Sequence, residues 1–128
     1  MQRRTYDVLV KNDSAKPVTI WLTKDGPAWE NGWKSPEDLA IESPKMDERI
    51  SGVIVPPGKT ASTGQVSGEF APSTQAILRV YLGQRLIHEL LAMDRGTHDR
   101  IDVTLKPGSN SLLVTDDGSG IKVEKQAR

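Results

Sequence analysis

Two histidines, three tryptophans, seventeen acids and no cysteine are the reactive side chains of this 128-residue sequence. Their spacing decides which chemistry they can support. His88 falls in an apolar segment, and His98 in the polar run Asp94-Arg95-Gly96-Thr97-His98-Asp99. A nucleophilic triad needs a nucleophile poised against a base and an orienting acid, and no serine stands in a recognisable strand-to-helix elbow. His98 with Asp94 or Asp99 has nitrogen and oxygen donors suited to a metal ion, but a polar surface turn accounts for the same residues. The lack of cysteine removes thiolate nucleophiles, disulfides and every Cys-based zinc or iron–sulfur site.

Phosphate and calcium loops fail on mechanics. Pro56-Pro57-Gly58-Lys59-Thr60 resembles the end of a phosphate-binding loop, and Leu90-Leu91-Ala92-Met93-Asp94 resembles an apolar strand ending in a magnesium-binding acid. Gly52 is one residue too distant for the required spacing, and the two prolines lack the N–H groups that would cradle phosphate. Asp116-Asp117-Gly118 lacks the alternating acids and closing glutamate of a helical calcium loop. Asp-Gly between two strands is instead a hairpin solution, because those residues tolerate positive φ. No metal, cofactor or enzymatic activity is expected.

The tryptophans are the more informative group. Trp21, Trp29 and Trp33 are half of the six aromatic residues and fall within thirteen positions. Trp29 and Trp33 are spaced so that a short turn would bring them together, in a loop where, between Asp25 and Glu48, the acids are Asp25, Glu30, Glu37, Asp38, Glu42, Asp47 and Glu48 and the bases only Lys34 and Lys45. One reading makes the two rings plugs at one end of the fold, a satellite core under a long loop. The other makes Trp29 and Trp33, with Glu30, Glu37 and Asp38, a platform for a sugar or peptide.

The elements that must carry these residues are strands. Tyr6, Val8 and Val10 alternate with Asp7, Leu9 and Lys11 until Asn12-Asp13-Ser14 turns the chain. Val18–Thr23 is dense in β-branched and aromatic residues, with Ile20 and Leu22 on one face and Trp21 on the other. Ile50–Val55 is a third strand, stopped by Pro56-Pro57-Gly58. Thr60–Phe70, interrupted by Gly64 and Gly68, reads as one or two short edge strands. Ala76–Leu82 alternates clearly and ends at Gly83-Gln84, which suits a tight hairpin turn.

Arg85–Met93 fits a short strand by length and flanking glycines, although Ile87, Leu90 and Leu91 also fit a two-turn helix. Ile101–Leu105 alternates, and Leu112–Thr115 with Ile121–Glu124 forms a hairpin across Asp116–Gly120. Seven or eight short strands at this spacing predict an all-β fold: an antiparallel β-sandwich of immunoglobulin-like architecture, in one domain over residues 1–128. Residues 24–49 form a long acidic loop between the second and third strands. Ser35-Pro36-Glu37-Asp38 in it carries the cap, proline and acid of a helix start, so one or two helical turns are expected there.

Charge and length bound the partners. Seventeen basic and seventeen acidic residues cancel, leaving no global field to hold a polyanion, so no nucleic acid is expected. No apolar run approaches the roughly 20 residues that span a bilayer, so no membrane insertion is expected. Met1-Gln2-Arg3-Arg4-Thr5-Tyr6 lacks the apolar stretch of a secretory signal, which makes the cytoplasm the default compartment unless the chain is a mature segment. The function expected is noncatalytic: a module for protein–protein binding or assembly, with self-association through an edge strand among the options. The alternative is a carbohydrate-binding module that uses Trp29 and Trp33. A first prediction follows from the failed metal patterns: EDTA leaves the thermal midpoint unchanged, and a shift of more than a few degrees in a calorimetric scan would reveal a bound ion.

Overall fold

The computed structural model describes residues 1–30, 32–34, 53–85, 89, 92 and 99–127. These form eight strands: β1 (Gln2–Asn12), β2 (Val18–Lys24), β3 (Val53–Val55), β4 (Thr60–Phe70), β5 (Ala76–Leu82), β6 (Arg100–Thr104), β7 (Gly108–Asp116) and β8 (Ile121–Gln126). The architecture is an all-β sandwich of two four-stranded sheets, ordered β4-β1-β7-β8 and β3-β2-β5-β6. All pairings are antiparallel except β1 with β7, which run parallel. An antibody constant domain puts its first, second, fourth and fifth strands in one sheet. Here β1 and β2 lie in different sheets, so the shared feature is the pair of packed sheets.

Alternation builds the core. Tyr6, Val8 and Val10 of β1 point inward with Val66 and Phe70 of β4 and with Leu112 and Val114 of β7. Ile20 and Leu22 of β2, Leu78 and Val80 of β5, and Val103 meet them from the second sheet. A side-chain period of two leaves Asp7, Leu9 and Lys11 on the opposite face of β1. The second sheet is buried on both faces: Thr19, Trp21 and Tyr81 project away from the core and are still buried.

One buried amide joins the two sheets. Asn12, fully buried at the end of β1, donates through Nδ2 to the carbonyls of Lys16 at 2.7 Å and Val55 at 2.8 Å. Its Oδ1 accepts from the Ser14 N–H at 3.0 Å and the Ser14 hydroxyl at 2.6 Å. Its backbone N–H donates to the Lys59 carbonyl at 2.9 Å, and its carbonyl accepts from Gly58 at 2.7 Å. Asn12 thereby fastens the β1–β2 turn to the end of β3 and to the Pro56–Lys59 turn.

Three expectations are corrected. Thr60–Phe70 is a single eleven-residue edge strand, because Gly64 at φ +70° sits in a bulge. There the Thr63 hydroxyl accepts the Val8 N–H at 3.1 Å, so pairing resumes instead of ending. Gly83 does not close a hairpin. At φ +83° it docks on the β1–β2 turn, donating to Pro17 at 2.7 Å, while the Thr19 hydroxyl donates to its carbonyl at 2.7 Å.

The third correction concerns residues 85–93, where Arg85, Glu89 and Ala92 are described and none lies in a strand. Glu89 and Ala92 have helical backbone, and the remaining residues of 86–93 lie outside the described ones. The short helix expected at 35–38, and residues 50–52 of the third strand, lie outside the described residues. The hairpin of β7 and β8 is as expected. Bonds from Lys122 and then Ser119 hold the Asp117 carboxyl well below the usual carboxylate range.

The Asn12 hub yields a prediction. Asn12→Leu removes the amide that donates to the Val55 carbonyl and to the Lys16 carbonyl, which keeps the Ser14 hydroxyl as its second donor, and should lower unfolding free energy by about 2–4 kcal/mol. Chemical denaturation measures it, and a loss no larger than for Ser14→Ala would mean that the hub is dispensable.

Candidate functional site

The long loop leaves β2 at one end of the sandwich, and its first residues shape a cleft of about 400 Å³. One wall is the segment Lys24–Trp29; the floor is the outer face of the second sheet, with Thr23, Ile77, Arg79 and Asp102, and Gln75 stands at the rim. Antiparallel register places Arg79 directly opposite Asp102. The Asp102 carboxylate is gripped by a guanidinium fork from Arg100, Nε to Oδ1 and Nη2 to Oδ2, both at 2.8 Å. Their side chains are only 10% and 8% exposed, and the Arg100 guanidinium lies 6.0 Å from the Tyr81 ring centre. Planar two-point pairing of this kind fixes orientation as well as charge.

Trp29 holds the wall in place. Its ring is 5% exposed and sits edge-on to Tyr6 at 6.1 Å and to Phe70 at 5.7 Å. Gly68 makes this possible: a Cβ there would come within 2.6 Å of Lys24 Cε and 3.1 Å of the Trp29 ring. The Lys24 stem crosses that gap, and its ammonium lies over the Phe70 and Trp29 rings at 5.2 and 5.7 Å while donating to the Glu69 carbonyl at 2.9 Å. Cations over ring faces are attracted by the aromatic quadrupole. Arg4 covers Phe70 from a distance of 4.9 Å.

The sequence-derived candidates separate. Trp29 is inside the sandwich end, whereas Trp33 is half-buried, packed against the border of the core and in a T-shaped pair with Trp21 at 6.5 Å. The expected meeting of Trp29 and Trp33 gives way to two different ring partnerships. Glu30 is exposed, donates its N–H to the Ser67 carbonyl at 2.8 Å and takes the Arg3 guanidinium on both carboxylate oxygens, at 3.2 and 3.1 Å. Glu30 raises the Arg3 pKa by hydrogen bond and charge. An ion pair this exposed mainly tethers the loop's start. Glu37 and Asp38, and the two histidines, lie outside the described residues.

Lys24, Gly68, Arg79 and Asp102 were not singled out from sequence. The readable signal was Gly68, an isolated glycine in a strand pattern, which marks close approach by another group. Chemically the cleft lining combines two cations, Lys24 and Arg79, with two anions, Asp25 and Asp102, and the carboxamide of Gln75; Asp102 is already held by Arg100 and Lys24 by the Glu69 carbonyl, and Asp25 and Gln75 are the exposed members. Such a lining selects charged and amide-bearing groups by hydrogen bonds and ion pairs. Among the described residues no three His, Asp or Glu side chains cluster to hold a metal ion.

Two substitutions separate packing from chemistry at Trp29. Trp29→Ala should lower unfolding free energy by about 3–5 kcal/mol, and Trp29→Phe by less than about 1.5 kcal/mol. Denaturant titration reads both, and a Trp29→Ala loss below about 1 kcal/mol would show that the ring is not a plug.

Compared with known proteins, the chain matches no family model and no curated protein sequence, so its function is argued from this geometry.

Proposed function

We propose that the chain is a noncatalytic β-sandwich module that acts in protein–protein binding or assembly, its cleft receiving a charged segment of a protein partner. The observation that carries the reading is the mixed lining of one depression: Lys24 and Arg79 with Asp25, Asp102 and Gln75. A peptide presents both charge signs and a backbone amide at every residue, so it can satisfy that mixture. The rigid sheet beneath keeps the polar groups in place before binding, which reduces the entropy lost on association.

The carbohydrate reading, with Trp29 and Trp33 as the platform, requires open ring faces on which a sugar can stack. Trp29 at 5% exposure is packed in T-shaped contacts with Tyr6 and Phe70, with the Lys24 ammonium over its ring. Trp33 alone retains part of its surface.

A peptide library of mixed charge, screened with the folded protein and with the rim variant Asp25→Lys, tests the proposal. Asp25 is exposed, so the variant keeps the fold. Saturable binding of a charged peptide, weakened at least about tenfold in Asp25→Lys, is the expected result. Peptide binding indifferent to Asp25→Lys would overturn the cleft assignment. Saturable glycan binding that changes tryptophan fluorescence, with no peptide selected, would overturn the protein-binding reading in favour of sugar.

A further inference from the structure

β8, with the sequence Ile-Lys-Val-Glu-Lys-Gln, is the last strand of its sheet; it packs near β6 of the second sheet, and among the described residues its strand pairing is with β7 alone. A strand in that position turns a row of backbone N–H and C=O groups outward. The other edges are less suited to pairing. β4 is bulged between its pairings with Asp7 and Leu9, the described part of β3 spans three residues, and β6 has Arg100 and Val103 buried. On β8, Lys122, Glu124, Lys125 and Gln126 are exposed, and Val123 packs at the border of the core.

The charge order on this edge is self-complementary. Lys122, Glu124 and Gln126 share the outer face, while Ile121, Val123 and Lys125 share the inner one. A two-fold axis perpendicular to the sheet joins two copies antiparallel and keeps each face on its own side, so the pairing must centre on a single residue. Centred on Lys122 it sets that lysine against itself, and centred on Glu124 it sets two glutamates together. Centred on Val123, it places Lys122 opposite Glu124 of the second copy twice, with Val123 on the axis. Opposite charges directly across a strand pair stabilise it, and like charges do the reverse.

We infer that the protein forms a two-fold dimer by antiparallel pairing of β8 with β8 of a second copy, centred on Val123, which joins the two outer sheets into one of eight strands. Lys122 also bonds Asp117 within its own chain. That ion pair is exposed, with side chains 58% and 46% accessible, and an ammonium has three donors to share. The inference is independent of the cleft.

The competing account is that charges on β8, including the inner-facing Lys125, keep the edge unpaired. It predicts a monomer at every concentration. Sedimentation velocity from about 1 µM to about 1 mM, a range set by ordinary weak affinities, should show a concentration-dependent dimer. Lys122→Glu and Glu124→Lys each put like charges across both symmetric positions, and each should weaken dimerisation about tenfold or more. An equal mixture of the two variants restores attraction at both positions and should dimerise, as should the double charge swap within one chain. All these positions are exposed, so folding is not at stake. A monomer throughout the range, or single variants that dimerise as well as the parent or in a mixture no better than alone, would overturn the inference.

Discussion

The close passage of the Lys24 side chain and the Trp29 ring over Gly68 is the contact on which the rest of the site depends. A sandwich has its core exposed at the ends of its two sheets, and at this end the residues available to close it are Tyr6 and Phe70 from one sheet. Trp29 completes the closure because the strand beneath it has no side chain at position 68. Burial of a tryptophan at such a point is a large apolar gain, and it fixes the first six residues of the long loop against the scaffold. Those residues are also the cleft wall. Stability and site geometry therefore share one contact.

The second sheet imposes the complementary demand. With Thr19, Trp21 and Tyr81 buried on the face away from the core, polar groups placed there must find partners or lose the free energy of hydration. Arg100 and Asp102 satisfy one another through two bonds, and Arg79 stands opposite in register. Removing one member of a buried pair costs far more than the pair contributes. The Asp102 carboxylate in the floor of the cleft is thereby held in one orientation by Arg100, whereas Asp25 and Gln75 at the rim are exposed.

Much of the strand pattern was readable because period-two alternation coincided with turn chemistry. Tyr6, Val8 and Val10, the strand at Leu78 and Val80, and the Asp-Gly hairpin of β7 and β8 each satisfied both conditions. Gly64 and Gly83 misled for a single reason: positive φ marks a special backbone position, and it does not say whether the chain bulges, docks or reverses. The unbroken apolar and β-branched run Val18–Thr23 already carried the trace of burial on both faces. Which side of the sheet each loop tryptophan would choose was not readable, since for Trp29 that depends on Gly68, distant from it in sequence, and for Trp33 on the face that Trp21 presents. Asn12 looked like a turn former, and three of its four side-chain bonds are indeed local, to Ser14 and Lys16; the fourth, to Val55 of β3, is one that only the tertiary structure supplies.

Equilibrium unfolding of Gly68→Ala tests the closure most directly. The backbone at Gly68 is not among the positive-φ glycines, so alanine is conformationally allowed and would by itself stabilise by about 0.4–1 kcal/mol through the unfolded chain. The closure at Trp29 predicts the opposite sign: a loss of about 1–3 kcal/mol, because the added methyl meets Lys24 and the Trp29 ring. A gain in stability would contradict it.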